Sequence, residues 1–155
     1  MRRQRYVPDV SRLGAVCEGN YGRMGRLLRL QGVEGGETLV FALHEPGGGE
    51  GRVSMRRLQQ SRYTDTWLLE QTQNAGRWLN NPHMTVRSYH DARMTEVVSC
   101  YRWGRIEAVH DYPNRFMHHP DEKMQINLFL ADWLDFCLRF GQAVDLDEIW
   151  SLSSG

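Results

Sequence analysis

Residues 84–103 read MTVRSYHDARMTEVVSCYRW, and this stretch decides the fold. Met84 to Tyr89 and Met94 to Trp103 are runs with β-branched and aromatic residues, the composition of a pleated strand. They flank His90-Asp91-Ala92-Arg93, a polar tetrapeptide that reads as a hairpin turn. If the chain folds back at Asp91-Ala92, opposed residues have numbers that sum to 183, which sets Arg87 across from Glu96. A hairpin this tight joins antiparallel strands, so the sheet is expected to be antiparallel.

Working upstream, Arg62 to Thr72 (RYTDTWLLEQT) is rich in Tyr, Thr and Trp and reads as a longer strand. Glu37 to His44 and Arg52 to Gln60 are shorter strand-like runs, separated by the flexible stretch EPGGGEG. Gly47, Gly48 and Gly49 lack the following Lys-Ser/Thr of a phosphate-binding loop. Further upstream the period changes. Val10, Leu13, Cys17, Tyr21, Met24 and Leu28 recur in steps of three and four, one face of an amphipathic helix with Asp9 as its cap. Gly14, Gly19, Gly22 and Gly25 weaken that helix, so it must lean on a core.

Downstream, a last short run, Arg105 to Tyr112, ends at Pro113-Asn114. The C-terminal helix follows, with Asp121 as cap and Gly141 as stop. Its stripe is Ile126, Phe129, Leu130, Trp133, Leu134, Cys137 and Phe140. The expected order is helix, four or five strands, helix. The expected fold is α+β, an antiparallel sheet of four to five strands with the N-terminal and C-terminal helices packed against it. Residues 1–141 are read as a single domain, and 142–155 as an acidic, partly disordered tail.

The composition of 155 residues, 41% hydrophobic and 25% charged, is that of a single globular domain and excludes collagen, coiled coil and wholesale disorder. No apolar run approaches a membrane span, and the basic N-terminus lacks the apolar stretch of a signal peptide. Cys17, Cys100 and Cys137 are odd in number and lack zinc-site spacing. Reduced thiols and a cytoplasmic location are therefore expected. Net charge is zero, yet residues 1–120 hold 17 Lys/Arg against 12 Asp/Glu and residues 121–155 hold 2 against 7. Side by side, the two ends neutralise each other and leave no basic face for nucleic acid.

Several segments together resemble the YqiB-like family of small bacterial proteins, a family of unknown function. They are Arg5-Tyr6 with Pro8-Asp9, Cys17-Glu18 with Asn20, and Arg62-Tyr63-Thr64 with Glu70-Gln71-Thr72. The more specific ones are Met84 to Arg87 with Tyr89 to Ala92, Asp111 to Asn114, and Asp121 to Lys123 leading into Gln125 to Asn127 and Phe129 to Leu134. Residues 31–60 match poorly. The resemblance implies a soluble cytoplasmic protein and brings no activity, cofactor or substrate with it.

No motif reads out a reaction. His90-Asp91 has the composition of an oriented base, but adjacent residues do not face each other, and Asp at a turn commonly caps backbone amides. The stretch holding His110, Asp111, His118 and His119 offers imidazole and carboxylate groups without metal-site spacing. No catalytic residue, metal or cofactor is assigned. The leading expectation is a non-catalytic protein-binding or adaptor domain, with a homodimer among its arrangements and no membrane or nucleic-acid partner. The alternative is a small-molecule site for a nucleotide or another anion, built from Arg87, Tyr89, His90, Asp111, Tyr112 and His118. That alternative requires the six to converge on one concavity. An adaptor instead needs arginines and aromatics on a fairly flat patch.

Overall fold

The computed structural model describes residues 10–31, 38–44, 50–73, 82–102, 105–108 and 120–143. Helix α1 (Val10–Leu30) is followed by six consecutive strands. They are β1 (Thr38–His44), β2 (Glu50–Gln60), β3 (Thr64–Gln73), β4 (His83–Tyr89), β5 (Met94–Arg102) and β6 (Arg105–Ala108). Helix α2 (Pro120–Phe140) and β7 (Gly141–Ala143) complete the described chain. The strands form one sheet in the order β6-β5-β4-β3-β2-β1-β7, and every neighbouring pair is antiparallel.

The α+β class and the antiparallel meander follow the sequence reading, but the strand count does not: seven strands replace four or five. The short runs on either side of the Gly-rich stretch each form a full strand, paired from Thr38↔Arg56 to His44↔Glu50. The seventh is three residues long, beyond the reach of any two-residue periodicity. Gly141 does end α2, as expected, and it also opens β7, which lies against Phe41 to Leu43 of β1. Helix α2 begins at Pro120, so Asp121 falls inside the first turn rather than at the cap. Proline suits a first helical position because its missing N–H would have no helical partner there.

Both helices pack on one face of the sheet. Leu39, Phe41 and Leu43 of β1, Val53 and Met55 of β2, Trp67 and Leu69 of β3, Met84 and Val86 of β4, and Val97 of β5 are buried at alternate positions. They join Ile126, Leu130, Trp133, Leu134 and Cys137 of α2 in one core. The buried line of α1 is Cys17, Asn20, Met24 and Leu27. Tyr21 and Leu28, read from sequence as core positions, sit half-buried at its rim.

Among the described residues the polar side chains buried in this core are paired, except that Arg57 Nε is buried without a hydrogen-bond partner where its guanidinium lies 4.9 Å over the Trp67 ring. Trp133 Nε1 donates to Gln71 Oε1 at 3.0 Å. Asn127 is fully buried; its Oδ1 accepts from the Val97 amide at 2.9 Å and its Nδ2 donates to the Lys123 carbonyl at 2.9 Å. Its own carbonyl accepts from Asn20 Nδ2 at 3.1 Å. Each pairing removes the cost of an unsatisfied buried polar group. Cys17, Cys100 and Cys137 are free and buried. Burial raises the Cys17 thiol to about 11, with Glu96 adding to the effect, and pushes Cys137 well up. Neither is a poised nucleophile. Among the described residues no helix is long and apolar enough to cross a membrane.

Candidate functional site

The β4–β5 hairpin has the register expected from its sequence: Tyr89 pairs with Met94, Ser88 with Thr95, and Arg87 with Glu96. Strand alternation then sends its polar residues to two different faces. Val86 and Ser88 point toward the helices. Arg87 and Tyr89 therefore project from the opposite face, and His90 begins the turn.

The face away from the core carries register-matched rows of side chains with no described helix packed on it. Arg56, Leu68, Thr85 and Ser99 lie in one row across β2 to β5, and Ser54, Glu70 and His83 in the next. Arg52 extends it on β2, beside Ala42 of β1. The His83 ring stacks on Tyr101, with centroids 5.5 Å apart and planes 20° from parallel, and Tyr101 is 51% exposed. Near the hairpin end, Tyr89 Oη donates to Glu96 Oε1 at 2.9 Å. Arg87 Nε lies 3.4 Å from Thr66 Oγ1, and Lys123 reaches Glu96 from α2 at 3.8 Å. Burial raises the Tyr89 hydroxyl above its ordinary range and its bond to Glu96 adds to this, while Arg87 opposes it.

The helix-side face ends differently. Asp65, Ser88 and Thr95 occupy one inward-facing row across β3, β4 and β5. Ser88 Oγ and Thr95 Oγ1 are 2.7 Å apart. Above this row, α1 stands off the sheet and leaves a cleft of about 770 Å³. Its lining includes Met24, Leu28 and Trp67 as apolar surface and Tyr21, Asp65 and His90 as polar groups. These three form a chain: Tyr21 Oη lies 3.0 Å from His90 Nδ1, and His90 Nε2 lies 3.1 Å from Asp65 Oδ2. The His90 main-chain N–H is held by the Tyr63 carbonyl at 2.7 Å.

Of the six candidate residues, Arg87 and Tyr89 thus share the open face while His90 faces the cleft. Asp111, Tyr112 and His118 lie outside the described residues, as do His110 and His119. The partner of His90 is Asp65, distant in sequence, and not the adjacent Asp91. Sequence reasoning missed Asp65 and Tyr21 as polar participants. A signal existed for Asp65: it is an acid in the same alternating phase as Trp67 and Leu69. Tyr21 was counted among apolar stripe residues, where its ring belongs and its hydroxyl does not. Among the described residues no group of three or more His, Cys, Asp and Glu side chains is placed to hold a metal ion.

Comparison with known proteins agrees with the sequence resemblance. The chain is 39% identical over 138 residues to a protein of Escherichia coli strain K12 described as uncharacterized protein YqiB, covering 89% of this chain and 94% of that one. The protein of the same description from Escherichia coli O157:H7 matches equally. No solved structure matches. The profile of a family described as protein of unknown function (DUF1249) matches residues 23–143, and the chain belongs to that family.

Proposed function

We propose that this protein is a non-catalytic, cytoplasmic protein-binding domain that docks an acidic partner surface on the open face of its sheet. One observation carries the reading. Both described helices lie on the other face, so β1 to β5 present Arg52, Arg56, Arg87, Tyr89 and Tyr101 with no described helix across them. Arginine and tyrosine are the residues over-represented at the energetic centres of protein interfaces. On this face Arg52, Arg56 and Arg87 carry the positive charge, while its acids have neighbours of their own: Glu50 lies 3.5 Å from His44, Glu70 lies 3.8 Å from His83, and Glu96 is engaged by Tyr89 and Lys123. An acidic partner is the complement of that charge. The chain's zero net charge weighs against nucleic acid as the partner.

The test is photo-crosslinking in the native cell from Ser54, Arg56, Ser99 and Tyr101, with Arg26 and Asp132 on the helix surfaces as controls. The expected result is one heterologous protein linked from the sheet positions and not from the controls. Arg52→Glu with Arg56→Glu should abolish its capture, and added salt should weaken it. Crosslinks confined to the controls, to a second copy of this chain or to nucleic acid would each overturn the proposal.

A further inference from the structure

The cleft under α1 is on the opposite side of the sheet from the proposed docking face and stands on separate observations. Its volume, about 770 Å³, lies within the range of small-molecule sites, roughly 300–1,000 Å³. Its composition also fits one, with apolar surface from Leu28 and Ala92 over the buried Met24 and Trp67 and a few convergent polar groups. The α1 wall is bare where the cleft opens: a Cβ on Gly22 would meet nothing within 4 Å. A Cβ on Gly25 would lie 3.3 Å from Arg29 Nη1, so the absence of a side chain there lets the guanidinium fold over the helix at the cleft. On the other rim stands Arg93, with φ of 54°, a left-handed conformation that costs a non-glycine residue free energy. Glycine or asparagine would hold this turn with less strain; an arginine there brings a cation to the rim.

The hydrogen-bond chain defines what such a site would take. With His90 neutral, Nε2–H donates to Asp65 and Nδ1 must accept, so the Tyr21 hydroxyl proton is committed to the histidine. With His90 protonated, both ring nitrogens donate. Tyr21 then accepts from Nδ1–H, and its own O–H is released to point elsewhere. The freed donor, the imidazolium and the two arginines would together face an anion. The charged and titratable groups around His90 are Glu18, Tyr21 and Arg29 from α1, Asp65 from β3, and Asp91 and Arg93 from its own turn. Asp65 is consumed by Nε2 in both states.

We propose that the cleft binds a small organic oxyanion with a flat apolar body, and that binding is coupled to uptake of one proton by His90. The body lies over Leu28, Ala92 and the bare α1 wall at Gly22 and Gly25, with the buried Met24 and Trp67 as the floor beneath, and the oxyanion meets Tyr21, Arg29 and Arg93. Carboxylates and phosphate monoesters share this chemistry.

Isothermal titration calorimetry on the whole chain at pH 6 and pH 8 tests it, using 2-naphthoate and 2-naphthyl phosphate as the two oxyanions and 2-naphthylmethanol as the neutral control. Both anions should bind at pH 6 at least tenfold more tightly than the alcohol. The affinity of 2-naphthoate, ionised throughout this range, should fall toward pH 8, by up to tenfold per pH unit for one coupled proton, while the alcohol's stays constant. 2-Naphthyl phosphate, which loses its own second proton at about pH 6, is compared with 2-naphthoate at a single pH. Preference for one anion over the other identifies the ligand group. His90→Gln should abolish the pH dependence, and Tyr21→Phe should reduce the preference for anions over the alcohol. Because both residues tie α1 to the sheet, Arg93→Gly and Gly22→Leu serve as independent variants. The first relieves backbone strain and should weaken anion binding with no loss of thermal stability; the second should block all three ligands. No binding at 10 mM, equal binding of the alcohol, or pH-independent 2-naphthoate affinity in the unmodified protein would each overturn the proposal.

Discussion

Replacing Asn127 with alanine gives the sharpest test of how α2 is joined to the sheet. Among the described residues β6 pairs with Ser99 to Arg102, so no described strand lies beyond the first half of β5. The Val97 amide there is satisfied by a side chain, Asn127 Oδ1, at 2.9 Å in a fully buried setting. Asn127→Ala orphans that N–H, at a cost of ~1–3 kcal/mol. The small cavity left by the amide adds up to about 1 kcal/mol. The expected loss is therefore ~1–4 kcal/mol, which in a domain of this size lowers Tm by about 2–15 °C. Urea melts followed by tryptophan fluorescence would read it, since Trp67 and Trp133 are buried. The midpoint should fall with the slope unchanged, as for a loss of stability without a change of unfolded state. Native-state hydrogen exchange should show the Val97 amide losing protection more than Val86 on the neighbouring strand. Asn127→Asp should keep the bond to Val97 but set an oxygen against the Lys123 carbonyl. That variant should recover stability as pH falls and the carboxyl gains a proton to donate. A change within 0.5 kcal/mol for Asn127→Ala, with Val97 still protected, would refute this account of the junction.

Trp133→Ala should cost ~3–5 kcal/mol in the same melts, because it empties a fully buried site and removes the hydrogen bond from Trp133 Nε1 to Gln71 Oε1. A double-mutant cycle on Arg87 and Glu96, paired across β4 and β5, should show a favourable coupling of ~0.3–1 kcal/mol. Gly14→Ala should stabilise by ~0.4–1 kcal/mol, since a Cβ there meets nothing within 4 Å. Gly141→Ala should destabilise by ~1–3 kcal/mol, as its Cβ would collide with the Cys137 carbonyl and press on the Phe41 ring. The Cys17 thiol, raised from 9.0 to about 11, binds its proton more tightly folded than unfolded. Its contribution to stability is present in full below pH 9 and is lost as pH rises toward 11. Cys17→Ala should flatten that part of the stability profile.

Local patterning was enough for the elements and for much of their pairing. The β4–β5 register followed from the position of one polar tetrapeptide, because a hairpin turn sets every opposed pair beyond it. The α2 stripe was legible because its apolar residues keep helical spacing over fourteen positions, from Ile126 to Phe140. The antiparallel sheet followed from connections too short for crossovers. What local patterning cannot contain is the meeting of residues far apart in the chain. Strand β7 exists because α2 returns Gly141 to Ala143 beside β1, and three residues carry no period of their own. Asn20 and Asn127, 107 positions apart, look misplaced on their helices until Asn20 is seen to donate to the α2 backbone and Asn127 to accept from the β5 backbone at Val97. Sequence proximity sets Asp91 beside His90 without pairing them and groups Arg87, Tyr89 and His90 together. Strand alternation sends the first two to the open face, while the turn and the close approach of α1 bring His90 to Asp65 and Tyr21. The elements could be read along the chain because propensity and period are local. The two faces and what each gathers were decided by packing, because only there do residues distant in sequence share space.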